Sequence, residues 1–289
     1  MPEILKEFSI FAPAKVNLHL KVLDKRQDGF HNIESLFLKL DFGDFLHFEL
    51  NDDENLDIVM EIENNIITKA VNLFKKKTGF NKGLKITVDK RIPIGGGLGG
   101  GSSDAASALL ALNKIAGFPL TFNSLLEAAA SLGSDVPFLM HETTAARVTG
   151  RGEIIEPVDV PKMFLVLINP GFSSDTAAAF KLLDKYREFG VKNERSKINT
   201  GSLNNSSFFI PHSSFLNDFF YVFPEKEKLS YLNIISDLRE QGAVYANLSG
   251  SGSTCFGVFE NEERAFKAVK ELGKKWQFVI KCSSFIVSK

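Results

Sequence analysis

Pro93–Asn113 reads PIGGGLGGGSSDAASALLALN, with six glycines in the seven positions 95–101 running directly into an Ala/Leu-rich stretch. A tight turn needs one or two glycines. Six within seven positions let the backbone approach a ligand with its N–H groups exposed, and the helix expected from about Ser102 to Lys114 adds the partial positive charge of its N-terminus. Such a cup binds phosphate. Gly95, Gly97 and Gly100 satisfy G-x-G-x-x-G, but dinucleotide binding also wants an acidic residue about 20 positions on, and Leu120 and Thr121 stand there. The P-loop pattern fails too, because Gly101 and Ser102 follow Gly100 where Lys and Ser/Thr are required. A phosphate nest of another kind remains, in which Ser102 or Ser103 donates to a phosphate oxygen or ligates Mg²⁺.

On either side of this segment the chain mixes strands and helices without strict alternation. Phe11–Val22 alternates apolar and polar residues, a half-buried strand that sets Lys15, Asn17 and His19 on one face. A turn at Gln27–Gly29 leads to runs at Ile33–Leu40 and Asp44–Leu50, then a helix over Asn65–Lys77 ended by Gly79 and a strand over Leu84–Ile92. Thr121 is placed to cap a helix through Ser131. Beyond a short apolar strand at Lys162–Asn169, the polar stretch Lys192–Pro211 reads as an irregular connection. A helix near Leu229–Gln241, a strand pair within Ala243–Phe259, a helix over Asn261–Gly273 and a last strand complete the chain. The reading is α+β, with two domains, 1–158 and 159–289.

Composition narrows the partner. With 289 residues, 44% hydrophobic, 24% charged and a formal net charge of -1, the chain has no broad basic field to hold nucleic acid or an anionic membrane. A small molecule is the expected ligand. Cys255 and Cys282 match neither a zinc spacing nor a disulfide framework and are expected to be reduced core thiols, in keeping with the cytoplasm. The first residues carry Glu3, Lys6 and Glu7 where a signal peptide would be apolar, and no run approaches the roughly 18 apolar residues of a membrane span.

PAKVNLHL at 13–20, PIGGGLGGGSSDAA at 93–106 and NLSGSGSTCFGVF at 247–259 together resemble the GHMP kinase superfamily (galactokinase, homoserine kinase, mevalonate kinase, phosphomevalonate kinase), in that superfamily's order. KRQDGFHNIESLF at 25–37 and LGSDVPF at 132–138 are similar, more narrowly, to the 4-diphosphocytidyl-2-C-methyl-D-erythritol kinase family of the non-mevalonate isoprenoid pathway. The resemblance implies a two-domain fold, the first domain like the second domain of ribosomal protein S5 and the second ferredoxin-like. It also implies transfer of a phosphoryl group from ATP, with Mg²⁺, to the 2-hydroxyl of a substrate bearing a cytidine diphosphate group. A monomer or a homodimer is expected.

The resemblance carries the proton acceptor onto Asp135 and a neighbouring cation onto Lys15. The pairing is sound chemistry, since a lysine within a few ångströms keeps a carboxylate ionised and stabilises a developing alkoxide. On the ATP side it implies Pro93, Gly95, Gly96, Gly97 and Leu98, continuing through Gly99, Gly100, Gly101, Ser102 and Ser103 around the triphosphate. Asn65, Ile66 and Lys90 are implied to line the base, although Lys90 with Arg91 also reads as a solvated pair at a strand end. For the substrate it implies stacking by Phe30 and Phe180, a hydrogen bond from His31 to the base edge, and contacts from Asn17, Thr176, Ser249 and Gly250. Phe30 stands where the family usually has Tyr, which keeps the stacking face and drops a phenolic hydrogen bond. Asp28 is expected to shape its turn. Three rivals stay open: a homoserine or mevalonate type kinase, a non-catalytic metabolite sensor on the same scaffold, and a dinucleotide-dependent oxidoreductase.

Overall fold

The computed structural model describes residues 6–51, 55–59, 66–188 and 217–286. Asn65 and the Lys192–Pro211 connection lie outside them. The alternating segment belongs to β1 (Glu7–Lys25), which pairs antiparallel along its length with β2 (His31–Asn51). The two runs expected as separate strands at 33–40 and 44–50 are thus one strand. Its register jumps from Pro13↔Gly43 to Lys15↔Lys39, and the extra residues of β2 bend it there. The bend lets the other edge of β2 serve two partners in turn, first β5 (Ala145–Gly150) and then β4 (Gly83–Asp89). β6 (Ile154–Val158) extends the sheet beyond β5, and β3 (Leu56–Val59) runs parallel to β4. The β5–β6 hairpin was not among the expected elements.

A second irregularity corrects the expected face-sharing. Asn17 opposes Phe37 while His19 opposes Leu36, so Leu18 is an inserted residue and His19 falls on the side away from Asn17. Lys15 and Asn17 share a face; His19 is buried on the other, and burial pushes its imidazole down to about 4, so it is neutral.

Four helices cover one face of this sheet: α1 (Ile66–Thr78), α2 (Gly100–Ile115), α3 (Phe122–Leu132) and the short α4 (Val136–Met140). Thr121 caps α3, its hydroxyl accepting from Ser124 N. The sheet's other face carries Ala14, Val16 and Leu18 against a second sheet, so two sheets stack between outer layers of helix.

The second sheet is β7 (Phe164–Asn169), β8 (Tyr245–Leu248), β9 (Cys255–Phe259) and β10 (Phe278–Ser283), all antiparallel, in the order β10-β7-β9-β8. After β7 come α5 (Thr176–Glu188), a 3-10 turn at Asp218–Tyr221 and α6 (Glu225–Glu240), and α7 (Glu262–Leu272) joins β9 to β10. This is a ferredoxin-like arrangement. Alternation along β7 explains the layering: Leu165 and Leu167 face the first sheet, whereas Val166 and Ile168 join the core under the helices. Each such buried leucine contributes about 2 kcal/mol from apolar burial. Cys255 and Cys282 are both unpaired and buried.

Candidate active site

The glycine segment is anchored by its carbonyls. Gly95 O accepts from Ser174 N (2.9 Å), Gly96 O from Thr254 N (3.0 Å), Gly97 O from the Ser249 hydroxyl (2.9 Å), Leu98 O from Lys15 N (2.9 Å) and Gly99 O from Ser103 N (2.8 Å). With every carbonyl from 95 to 99 occupied and Gly96 N–H donating to Pro93 O at 3.2 Å, the loop is left to offer its remaining N–H groups to the cleft it borders. The glycines are needed for this placement. Gly97 has φ +75°, and a Cβ there would stand 2.2 Å from Ser249 O; Gly99 has φ +71°, and its Cβ would lie 2.9 Å from Lys15 Cγ. Helix α2 begins at Gly100, two residues before the expected start, because Gly99 takes the N-cap position. Having no side chain, Gly99 makes no cap, so the first-turn donors stay open. Ser102 lines the cleft. Ser103 corrects the alternative assignment: it is buried and its hydroxyl donates to Pro13 O at 2.7 Å.

Lys15 and Asp135 meet at the base of the cleft. Lys15 Nζ lies 3.0 Å from Asp135 Oδ2, donates to Asn17 Oδ1 at 2.7 Å and stands 4.6 Å from the centre of the Phe37 ring. Asn17 in turn donates to the Ser35 hydroxyl at 2.9 Å. Lys15 is almost wholly buried, while the Asp135 side chain is 27% exposed. Asp135 occupies the N-cap position of α4 yet makes no side-chain cap; its carboxylate turns to the lysine and the cleft instead. A carboxylate beside a buried cation, open on one side, is placed to accept a proton from a bound hydroxyl.

The cleft encloses about 920 Å³. Pro93, Ile66, Lys90 and Gly250 border it near the glycine loop, and Phe30, His31, Thr176 and Phe180 also line it. Lys90 is not a solvated partner of Arg91: its ammonium bridges the buried carboxylates of Asp44 (2.5 Å) and Asp104 (2.8 Å), whereas exposed Arg91 pairs with Asp89. Burial first, then the Asp44 charge, pushes the Asp104 carboxyl up to about 7 against the pull of Lys90. His31 stacks on Phe180 with ring centres 5.0 Å apart and donates from Nε2 to Asp184 at 2.7 Å. Asp28 shapes its turn by accepting from Phe30 N at 3.1 Å. Thr176 bonds the Ser251 hydroxyl (2.8 Å). Ser249 is fully buried and serves the glycine loop, so of the late turn Gly250 and Ser251 reach the cleft.

Several residues at the cleft were not expected. Arg151 lies 5.2 Å over the Phe30 ring, and Lys25, Lys181 and Asp184 line the same end. Lys25 also pairs with Asp184 (2.6 Å). Gly150 and Gly152 around Arg151 mark the hairpin turn that would have placed it. For Asp184 there is no local signal, because it reaches His31 from a helix 153 positions away.

Residues 65–143 match the family described as GHMP kinases N terminal domain, and residues 224–277 that described as GHMP kinases C terminal. A protein of Thermodesulfovibrio yellowstonii named 4-diphosphocytidyl-2-C-methyl-D-erythritol kinase is 38% identical over 277 residues, 92% of this chain and 95% of that protein. The chloroplastic enzyme of the same name from Arabidopsis thaliana is 37% identical over 273 residues, 88% of this chain and 68% of that protein. A crystal structure of 4-(cytidine 5'-diphospho)-2C-methyl-D-erythritol kinase superposes with a TM-score of 0.78 at 28% identity, covering 96% of this chain and 98% of that one. Mevalonate kinase of L. major, with a TM-score of 0.67 at 15% identity over 98% of each chain, shares the fold. Identity of this extent over nearly the whole length places the chain among the GHMP kinases and, within them, in the 4-diphosphocytidyl-2-C-methyl-D-erythritol kinase family.

Proposed function

We propose that this chain is an ATP-dependent kinase that phosphorylates the 2-hydroxyl of 4-diphosphocytidyl-2-C-methyl-D-erythritol, in the non-mevalonate route to isoprenoid precursors. The observation that carries the reading is the Lys15–Asp135 pair, 3.0 Å apart, in the same cleft as the glycine loop. ATP supplies the phosphoryl group, its triphosphate held by N–H groups of the loop and first turn of α2 from Gly97 to Ser102, with Ile66 and Lys90 beside the base. Among the described residues no cluster of three His, Cys, Asp or Glu side chains could cage a metal. Mg²⁺ would be held chiefly by phosphate oxygens, with the Ser102 hydroxyl at the start of α2 as a further ligand.

Asp135 takes the proton as the substrate oxygen bonds to the γ-phosphorus and the bond to the ADP oxygen breaks. Lys15 stabilises the oxygen's developing charge, and Asn17 fixes the ammonium. Phe30 and Phe180 offer ring faces to the cytosine, where stacking contributes about 1 to 3 kcal/mol in single-strand complexes. Five cations, Lys15, Lys25, Lys90, Arg151 and Lys181, against three carboxylates, Asp104, Asp135 and Asp184, suit the cleft to anionic ligands. The chain divides near Val158, between the last strand of the first sheet and the first of the second.

ADP release is measured with the cytidylyl substrate, homoserine and mevalonate in parallel. Turnover is expected with the first alone, inhibited by cytidine nucleotides. Turnover with homoserine or mevalonate and indifference to cytidine nucleotides would overturn the assignment; no ADP release with any of the three would favour a metabolite sensor.

A further inference from the structure

Lys15 has a partner directly across the sheet. In the pairing of β1 with β2 its opposite residue is Lys39, so two lysines project side by side from one face. Like charges opposed on a sheet repel, the more so when water is excluded, and Lys39 is only 4% exposed. Lys15 answers its charge with Asp135. For Lys39 there is no carboxylate at ion-pair distance among the described residues. Its ammonium donates instead to the backbone carbonyls of Leu139, at 3.1 Å, and His141, and stands 5.3 Å from the centre of the Phe138 ring.

Both lysines therefore act on α4. This helix has five residues, all buried, and spans about 7 Å. Asp135 sits at its N-terminus; the carbonyls that Lys39 takes are at its C-terminus, where helical carbonyls lack partners and carry partial negative charge. Such a short helix has no stability of its own. Lys39 is itself fixed, since its backbone N–H donates to Thr144 O (2.8 Å) and its carbonyl accepts from Phe285 N (2.9 Å).

We infer that Lys39 is a positioning residue for phosphoryl transfer, clamping the C-terminal end of α4 so that Asp135 at the other end stays at bonding distance from Lys15. The inference rests on the reading of Asp135 as proton acceptor. Displacement of a reacting group by about 1 Å costs on the order of 100-fold in rate. Loss of the clamp should thus lower kcat and leave the nucleotide site, built from α2 and the second sheet, untouched.

Lys39→Met keeps length and removes charge; Lys39→Ala leaves a cavity that added n-butylammonium refills with charge and n-butanol without it. In Lys39→Met, kcat is expected to fall about 10- to 100-fold, with the Kd of a non-hydrolysable ATP analogue within twofold of the unaltered chain. Butylammonium should restore Lys39→Ala and butanol should not. A folded Lys39→Met variant with kcat within twofold, a parallel loss of nucleotide binding, or equal rescue by the alcohol overturns the clamp. Asp135→Asn run alongside separates the two failures: normal turnover there removes the base assignment, whereas an inactive Asp135→Asn beside a normal Lys39→Met removes only the clamp.

If neither Lys39 variant folds, Glu142→Gln decides. The charged and titratable groups around Lys39 are Lys15 from β1, Asp135 at one end of α4, His141 at the other, held neutral by burial and the Lys39 charge, and exposed Glu142 beyond it, while Asp41 farther along β2 is engaged by Ser283. Burial lowers the Lys39 ammonium to about 8 and Glu142 supports it. The alkaline fall of kcat should therefore move to lower pH in Glu142→Gln with kcat at pH 7 unchanged, and an unmoved limb overturns the proposal.

Discussion

Asp135 has the sequence setting of an ordinary helix cap, followed by Val136 and Pro137, and it does stand at the cap position. Its carboxylate is nevertheless withheld from the helix and given to Lys15. A cap would stabilise α4 by about 1 kcal/mol, and that stabilisation is forgone. Asp135→Asn keeps the shape and removes the proposed proton acceptor. The expected result is unchanged ATP binding with kcat lower by about 100- to 10,000-fold, read from single-turnover ADP formation. Near-normal turnover would remove the base. At this scale the sequence was legible where a motif names a residue, as for Lys15 and Asp135. It was not legible where a side chain's role depends on a distant partner. Lys90 looks like one of two adjacent surface cations until Asp44 and Asp104, 46 and 14 positions away, are seen to enclose it.

Among the elements, the loop entering α2 was the most readable, because a run of glycines has few structural uses. Its start was misplaced by two residues for a physical reason: serine is the better cap on average, but a cap would have consumed the donors that Gly99 leaves open. Gly97→Ala puts a methyl group 2.2 Å from Ser249 O at a left-handed φ. The variant should lose ATP affinity by at least tenfold and melt several degrees lower, as calorimetric titration and thermal unfolding would show; retained affinity would mean that the loop can shift without cost. β1 and β2 were read as alternation, but alternation says nothing about insertions. The added residue at Leu18 turns His19 away from Asn17, and the added residues in β2 fuse two expected strands into one. The β5–β6 hairpin escaped notice although Gly150-Arg151-Gly152 marks its turn.

For the molecule as a whole, the mixed order of strands and helices indicated α+β, and the family motifs supplied the two fold names. How the sheets meet could not be read, since Leu165 and Val166 are equally apolar and only the register assigns one to the sheet interface and the other to the helices. Leu167→Ala opens a cavity in that interface and should cost about 2 to 5 kcal/mol in urea unfolding, with a single transition retained for both halves. Two separated transitions would show that the halves unfold independently. A polar bond crosses the same interface: the Tyr245 hydroxyl donates to Leu18 O at 2.8 Å.

Three of the five carbonyls that orient the glycine loop are satisfied from beyond residue 170, by Ser174, Thr254 and Ser249. In a chimera that grafted the first half onto an unrelated partner, those oxygens would be stranded and the amides facing the cleft would lose their bearing. Nucleotide recognition by this loop, as proposed, is in this sense a joint inheritance of both halves, and neither can diverge at that seam alone.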